Sequence, residues 1–283
     1  MTDERGRVSR RAFLAGGGAL ALGAVGIGIE RVGWTDLLHK VGLAESPDHH
    51  VPNAGASVRK FVFDSKAMRG SVRAAISAPS GARGIVICLH GRNSDYMTAF
   101  NGVHVHDVVA AAGARLAVVS VAGGADSYWH RRRSGIDPQA MLQDELLPRV
   151  DNMLGASLPR ALMGWSMGGY GALLTAERHP NEYRAVVASS PALWLTPGAT
   201  SPGAFDDAAD YRRNDVFGGI ASLGELVVRV DCGTSDPFVN AARAFASRLP
   251  KPNPGGFTNG FHDQAYWRSV APAQIATIAA ALG

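Results

Sequence analysis

The chain has 283 residues, and 28 basic against 24 acidic side chains leave a net charge of only +4 with no long basic block. That length suits one large α/β domain with a substantial core of its own, and the charge balance excludes the electrostatic footprint of a nucleic-acid binder. With only two cysteines, the fold is expected not to depend on disulfides.

Taken from the N-terminus, Ser9–Leu14 reads SRRAFL, and the apolar, glycine-rich run AGGGALALGAVGIGI follows before Glu30 and Arg31. This arrangement resembles a twin-arginine export signal. Gly16, Gly17 and Gly18 do not make a phosphate loop, because no strand precedes them and no Gly-Lys-Ser/Thr follows. The run is short and glycine-rich for a spanning helix. No clear A-x-A site follows it and Ala44 offers only a weak cleavage point, so an uncleaved anchor is the alternative. Residues 1–31 are therefore expected to be a signal or anchor. The twin-arginine export machinery would then be a partner, the periplasm, cell envelope or medium the destination, and the N-terminus a route to membrane association. Residues 32–56, broken by Pro47, His49, His50, Pro52 and Asn53, read as a polar linker, and 57–283 as the main folded domain.

Val58–Asp64 and Ser71–Ala78 alternate apolar and polar residues around Met68-Arg-Gly70 and predict an antiparallel hairpin. Gly84–Leu89 is a continuous apolar strand, Val103–Ala112 is helical, and Leu116–Val121 is strand again. Asp137 and Pro138 start a helix running to about Leu154. Further strands are expected before Gly164, at Ala185–Ser189 and at Leu226–Asp231. Strands alternating with helices predict a mostly parallel sheet covered on both faces, interrupted by a rim insertion at about 195–224 that could cover substrate. Cys88 and Cys232 fall in separate buried strands, where free thiols serve as small hydrophobes.

The most informative stretch is ALMGWSMGGYGALL, Ala161–Leu174. A serine flanked two residues away by Gly164 and Gly168, between an apolar strand and a helix that Pro180 stops, is a nucleophile elbow. The five-residue pattern is weak alone and needs partners. Of nine histidines, His262 lies in GGFTNGFHDQAYW, before the final helix, where a base would follow the last strand. Asp236 lies between them in chain order, in DCGTSDPF after a strand. The rival acids are Asp231, nearer its strand, and Asp206 and Asp207, in the insertion. Ser166, Asp236 and His262 then all fall at the carboxyl edge of the sheet. The Met167 amide and, after the strand ending in Leu89, the Arg92 amide are the expected oxyanion donors. His104-x-His106 is the one spacing that invites a metal, but on a helix the two side chains diverge, and neither metal nor cofactor is expected.

The strand-HG step, GWSMGGYGAL, ELLP, GTSDPF and G-x-H-x-x-x-YW, in this order, resemble the esterase family that includes esterase D and the secreted mycolyltransferases of the antigen 85 type. The resemblance spans Val58 to the end. It implies an α/β-hydrolase fold, with Ser166, Asp236 and His262 as triad and the Met167 and Arg92 amides as oxyanion hole. SMGGYGAL is closer to the esterase D side, and HDQAYW lacks the tryptophan often found soon after that histidine in mycolyltransferases. An exported serine esterase working through an acyl-enzyme is thus expected. The alternatives are an acyltransferase serving a cell-envelope sugar and a non-catalytic binding protein on the same fold. Trp129, His130 and Trp194 are candidate walls for a small-molecule, lipid or carbohydrate ester.

Overall fold

The computed structural model describes His39, residues 44–51 and residues 53–283. The expected signal or anchor, residues 1–31, and the first part of the expected linker lie outside the described residues, His39 excepted.

The apolar runs become one eight-stranded sheet: β1 (Arg59–Ser65), β2 (Gly70–Ser77), β3 (Gly84–Leu89), β4 (Leu116–Val121), β5 (Arg160–Trp165), β6 (Ala185–Ser189), β7 (Val227–Gly233) and β8 (Phe257–Thr258), in spatial order β1-β2-β4-β3-β5-β6-β7-β8. β1 and β2 form the expected hairpin, with Lys60 opposite Ala75 and Phe63 opposite Val72. β2 joins β4 antiparallel, and every pairing from β4 to β8 is parallel. The two central strands β3 and β5 are buried nearly throughout, as a sheet covered on both faces demands.

Eight helices cover it: α1 (Val105–Ala111), α2 (Pro138–Ala140), α3 (Leu147–Leu154), α4 (Met167–Arg178), α5 (Ala208–Arg213), α6 (Val216–Gly219), α7 (Val239–Ala246) and α8 (Gln264–Leu282), among the described residues. Asp137 caps α2 as expected, accepting the Ala140 amide at 3.1 Å, and a wide helical turn at Met141–Leu146 joins α2 to α3. The alternation along β3 sorts its side chains between two cores. Ile85, Ile87 and Leu89 pack with α3, α4 and α7. Val86 and Cys88 pack with α1 and α8 through Val105, Val108, Ile275 and Ile278. The expected helix at Val103–Ala112 starts later, because His104 sits at φ 57° and acts as the N-cap of α1.

Both cysteines are buried and free. They lie on β3 and β7, three strands apart and in opposite cores, beyond disulfide reach. Burial pushes both thiol pKa values up, which makes them inert. The insertion is folded around α5 and α6. Arg132 pairs with Asp206 at 3.1 Å, and Tyr170 Oη donates to the Asn214 carbonyl at 2.6 Å.

Candidate active site

The chain direction reverses its spread between β3 and β5, and the loops leaving these neighbours at their carboxyl ends face one another. β5 runs one residue past Gly164 and then turns abruptly into α4 through Ser166, which sits at φ 54° and ψ −120°. Such a backbone costs a non-glycine residue of order 1–3 kcal/mol. It persists because the Ser166 amide donates to the Ser189 carbonyl at 3.0 Å, while its own carbonyl accepts from Tyr170 and Ala192, each at 3.0 Å. The neighbouring glycines have a steric cause. A Cβ on Gly164 would overlap the Gly168 carbonyl, and one on Gly168 would overlap the Leu89 carbonyl.

The structure brings Ser166, His262 and Asp236 together. His262 Nε2 lies 2.9 Å from Ser166 Oγ, and His262 Nδ1 lies 2.8 Å from Asp236 Oδ2. The second oxygen of Asp236 accepts the Phe238 amide at 2.8 Å, and this carboxylate is wholly buried. Its neighbours therefore fix both oxygens, one on backbone and one on imidazole. The rival acids are engaged elsewhere. Asp231 forms a two-point pair with Arg229 at 2.8 and 3.0 Å. Asp206 meets Arg132 and the Arg133 amide, and Asp207 caps α5.

Met167 is the first residue of α4, so its amide belongs to the set a helix leaves unpaired at its start. Across from it, a Cβ on Gly91 would stand 3.5 Å from that of Ser166, which places the loop of Arg92 against the serine. The Arg92 and Met167 amides donate to no other group among the described residues. Gly91 is not needed for a left-handed turn, since the positive φ in this loop falls on Asn93 at 54°.

Sequence reasoning missed the residue that shapes this loop. His90 Nε2 accepts the Gly123 amide at 3.0 Å, so the proton sits on Nδ1 and is donated to the Gly91 carbonyl at 2.8 Å. Burial lowers the His90 pKa, in keeping with a neutral ring. Trp129 Nε1 donates to the His90 carbonyl at 3.1 Å.

That contact corrects one expected substrate wall. Trp129 is fully buried, and its indole fills a slot opened by Gly123 and Gly171, where any Cβ would strike it. Its backbone at φ 55° turns the side chain inward. His130 is fully buried as well, held between the carbonyls of Arg131 and Ala204 at 3.0 and 3.2 Å. Neither can touch substrate from there. Trp194 is 9% exposed and stands 5.6 Å from the Phe238 ring, which in turn lies 5.2 Å from the His262 ring. Trp267 packs edge-on against His262 at 5.6 Å. His104 and His106 share the Asp107 carboxylate at 3.5 and 3.6 Å, and no group of three or more metal-binding side chains converges among the described residues.

A family model described as Putative esterase matches residues 65–275. The chain belongs to this Esterase family. It is accordingly an enzyme of ester chemistry, a hydrolase or an acyltransferase. No curated protein matches it in sequence. Among solved structures it is similar to a ferulic acid esterase, at 20% identity and a TM-score of 0.69 over 81% of this chain and 99% of that one. An S-formylglutathione hydrolase from Agrobacterium tumefaciens matches at 14% identity and a TM-score of 0.69, over 85% of this chain and 100% of that one. MPT51 from Mycobacterium tuberculosis matches at 19% and 0.66, over 81% and 100% of the respective chains. These likenesses establish the α/β-hydrolase fold expected from the sequence.

Proposed function

We propose that this esterase hydrolyses carboxylic esters through an acyl-enzyme on Ser166, and that it does so after export. The observation that carries the reading is the unbroken hydrogen-bond chain from Asp236 through His262 to Ser166, at 2.8 and 2.9 Å, with the serine at a helix start. His262 Nε2 takes the hydroxyl proton as Oγ attacks the ester carbonyl, and Asp236 holds Nδ1–H and stabilises the imidazolium. The Met167 and Arg92 amides receive the developing oxyanion, each worth about 3–4 kcal/mol in the transition state. The imidazolium then protonates the departing alcohol, and water activated by the same base releases the acid. No metal or cofactor enters any of these steps. Phe238 beside His262, with Trp194 behind it, forms an apolar flank, which supports an apolar or aromatic acyl group as substrate.

The test is mass spectrometry of the protein treated with a fluorophosphonate and with short- and long-chain p-nitrophenyl esters, with Ser166→Ala in parallel. Labelling confined to Ser166 and turnover lost in the variant support the mechanism. A well-folded protein that neither labels nor turns over refutes it. Adding sugar alcohols to the same reaction reads whether an alcohol competes with water for the acyl group. For export, the support is the paired Arg10 and Arg11 before an apolar run. Changing both to lysine abolishes export on this reading, and undiminished export refutes the route.

A further inference from the structure

The segment expected to be a polar linker is tied to the loop that carries His262. Ser46 is 8% exposed although residues 47–50 around it face solvent. Its Oγ donates to Asp263 Oδ2 at 2.8 Å and accepts the Phe261 amide at 2.8 Å. These two partners flank His262 on either side in the chain. Asp263 is committed further, because its other oxygen accepts the Tyr266 amide at 2.8 Å and caps α8. His39 joins the same knot, with Nε2 3.0 Å from Asp263 Oδ2 and its ring stacked on Phe261 at 4.3 Å. Asp48 extends the attachment through a two-point pair with Arg268 at 2.8 and 2.7 Å.

The loop needs such help. β8 before it has only two residues, and the loop's inner side is held to the Asp236 loop by the Ser235 amide on the Gly260 carbonyl at 3.0 Å. Its outer side has the Ser46 hydroxyl. The Phe261 amide is buried, so removing its acceptor leaves a buried donor unpaired and moves the backbone next to His262 toward another partner. An imidazole that must bridge two partners at 2.8 and 2.9 Å tolerates little displacement.

We propose that Ser46 is a positioning residue of the reaction, and that the segment before β1 is a strap that sets His262 between Ser166 and Asp236. The proposal rests on the catalytic roles assigned above. It is tested in the full chain by comparing wild type, Ser46→Ala and Ser46→Thr for kcat and KM on p-nitrophenyl acetate, for thermal midpoint, and for hydrogen exchange in the peptide covering residues 257–267. Ser46→Ala is expected to lower kcat at least five-fold with KM within two-fold and to speed exchange in that peptide; Ser46→Thr, which keeps the hydroxyl, restores kcat. If Ser46→Ala melts early, Asp263→Asn serves instead, since it keeps the cap acceptor and loses the anion. It must lower kcat without lowering the midpoint, or the proposal falls. Unchanged turnover and exchange in Ser46→Ala beside an active wild type overturn the strap alone, as do equal losses in the alanine and threonine variants. A wild type with neither turnover nor Ser166 labelling overturns the catalytic reading, and with it the positioning role, even where exchange still responds.

Discussion

Replacing Asp236 with asparagine changes one atom at a carboxylate whose two oxygens have different jobs. Oδ1 accepts the Phe238 amide and Oδ2 faces His262 Nδ1, both at 2.8 Å and both away from water. An asparagine can satisfy only one of these donors. With its oxygen on Phe238, its NH2 group faces the ring, so Nδ1 must be bare and Nε2 must carry the proton. That tautomer cannot accept the serine hydroxyl proton. The opposite rotamer keeps the competent ring but sets an NH2 group against the Phe238 amide, leaving a buried donor unpaired at about 1–3 kcal/mol, or roughly a five- to hundred-fold reduction in the competent population at about 1.4 kcal/mol per tenfold. The variant also loses the negative charge beside the imidazolium formed during attack, a charged hydrogen bond worth about 1.5–3 kcal/mol. Together the two effects predict a fall in kcat of about 10³-fold, approaching the ~10⁴-fold that a wrong tautomer costs in serine proteases. Burst kinetics on p-nitrophenyl acetate, with circular dichroism to establish folding, measure it. A folded Asp236→Asn protein within five-fold of wild type would refute the assignment of Asp236 as the orienting acid.

Three other outcomes follow from buried groups near this centre. Gly168→Ala drives a Cβ into the Leu89 carbonyl, where neither α4 nor β3 can yield; soluble yield or activity is expected to drop at least ~100-fold, since misplacement of about 1 Å is enough for that, and a normally active variant would contradict the packing. Trp129→Phe removes the hydrogen bond to the His90 carbonyl, worth about 1 kcal/mol, and should lower kcat more than it changes KM, whereas a change in KM alone would mean that residue 129 touches substrate. Glu177 is half-buried on α4 with its Oε1 shielded from water and unpaired, and this burial, aided by Asp215, pushes its pKa up to about 9. The folded state therefore holds its proton more tightly than the unfolded chain, so stability falls as pH rises from about 4.5 towards 9. Glu177→Gln should raise the melting midpoint by several degrees at pH 8.5 and barely at pH 4.5; equal shifts at both would remove the cause.

Much of the fold could be read from runs of apolar residues because a doubly covered parallel sheet leaves its central strands no polar face. β3, β4 and β6 fall where Gly84–Leu89, Leu116–Val121 and Ala185–Ser189 are apolar but for the buried Ser120 and Ser189. The meeting of Ser166, Asp236 and His262 was legible for a related reason. Each follows a strand, and parallel strands deliver their following loops to one edge, so chain order alone predicts convergence. What chain order does not carry is side-chain direction. Trp129 and His130 follow the strand β4 at the same edge and were expected to line the cleft, yet Tyr128 and Trp129 take φ values of 49° and 55°. Two successive left-handed residues reverse the side-chain alternation, and the slot for the indole exists only because Gly123 and the sequence-distant Gly171 lack a Cβ there.

The strap escaped sequence reading through a different route. Composition reports burial, and a polar, proline-broken stretch such as residues 44–56 offers almost no apolar surface to bury, so it reads as detached. Its attachments are mainly hydrogen bonds and ion pairs made by single residues to positions more than 50 residues away, as with the Ala54 amide on Asp107 at 2.9 Å and Asp48 on Arg268, and no local period encodes them. The same chemistry gives the segment its character. The outer contacts of this kind, such as Asp48 on Arg268, are part-exposed, contribute about 1 kcal/mol or less apiece and open far more readily than the sheet. The Ser46 hydroxyl, buried on the Phe261 amide, is by contrast shielded from water, and on the proposed role the distance between Ser166 Oγ and His262 Nε2 is the quantity its loss would change first.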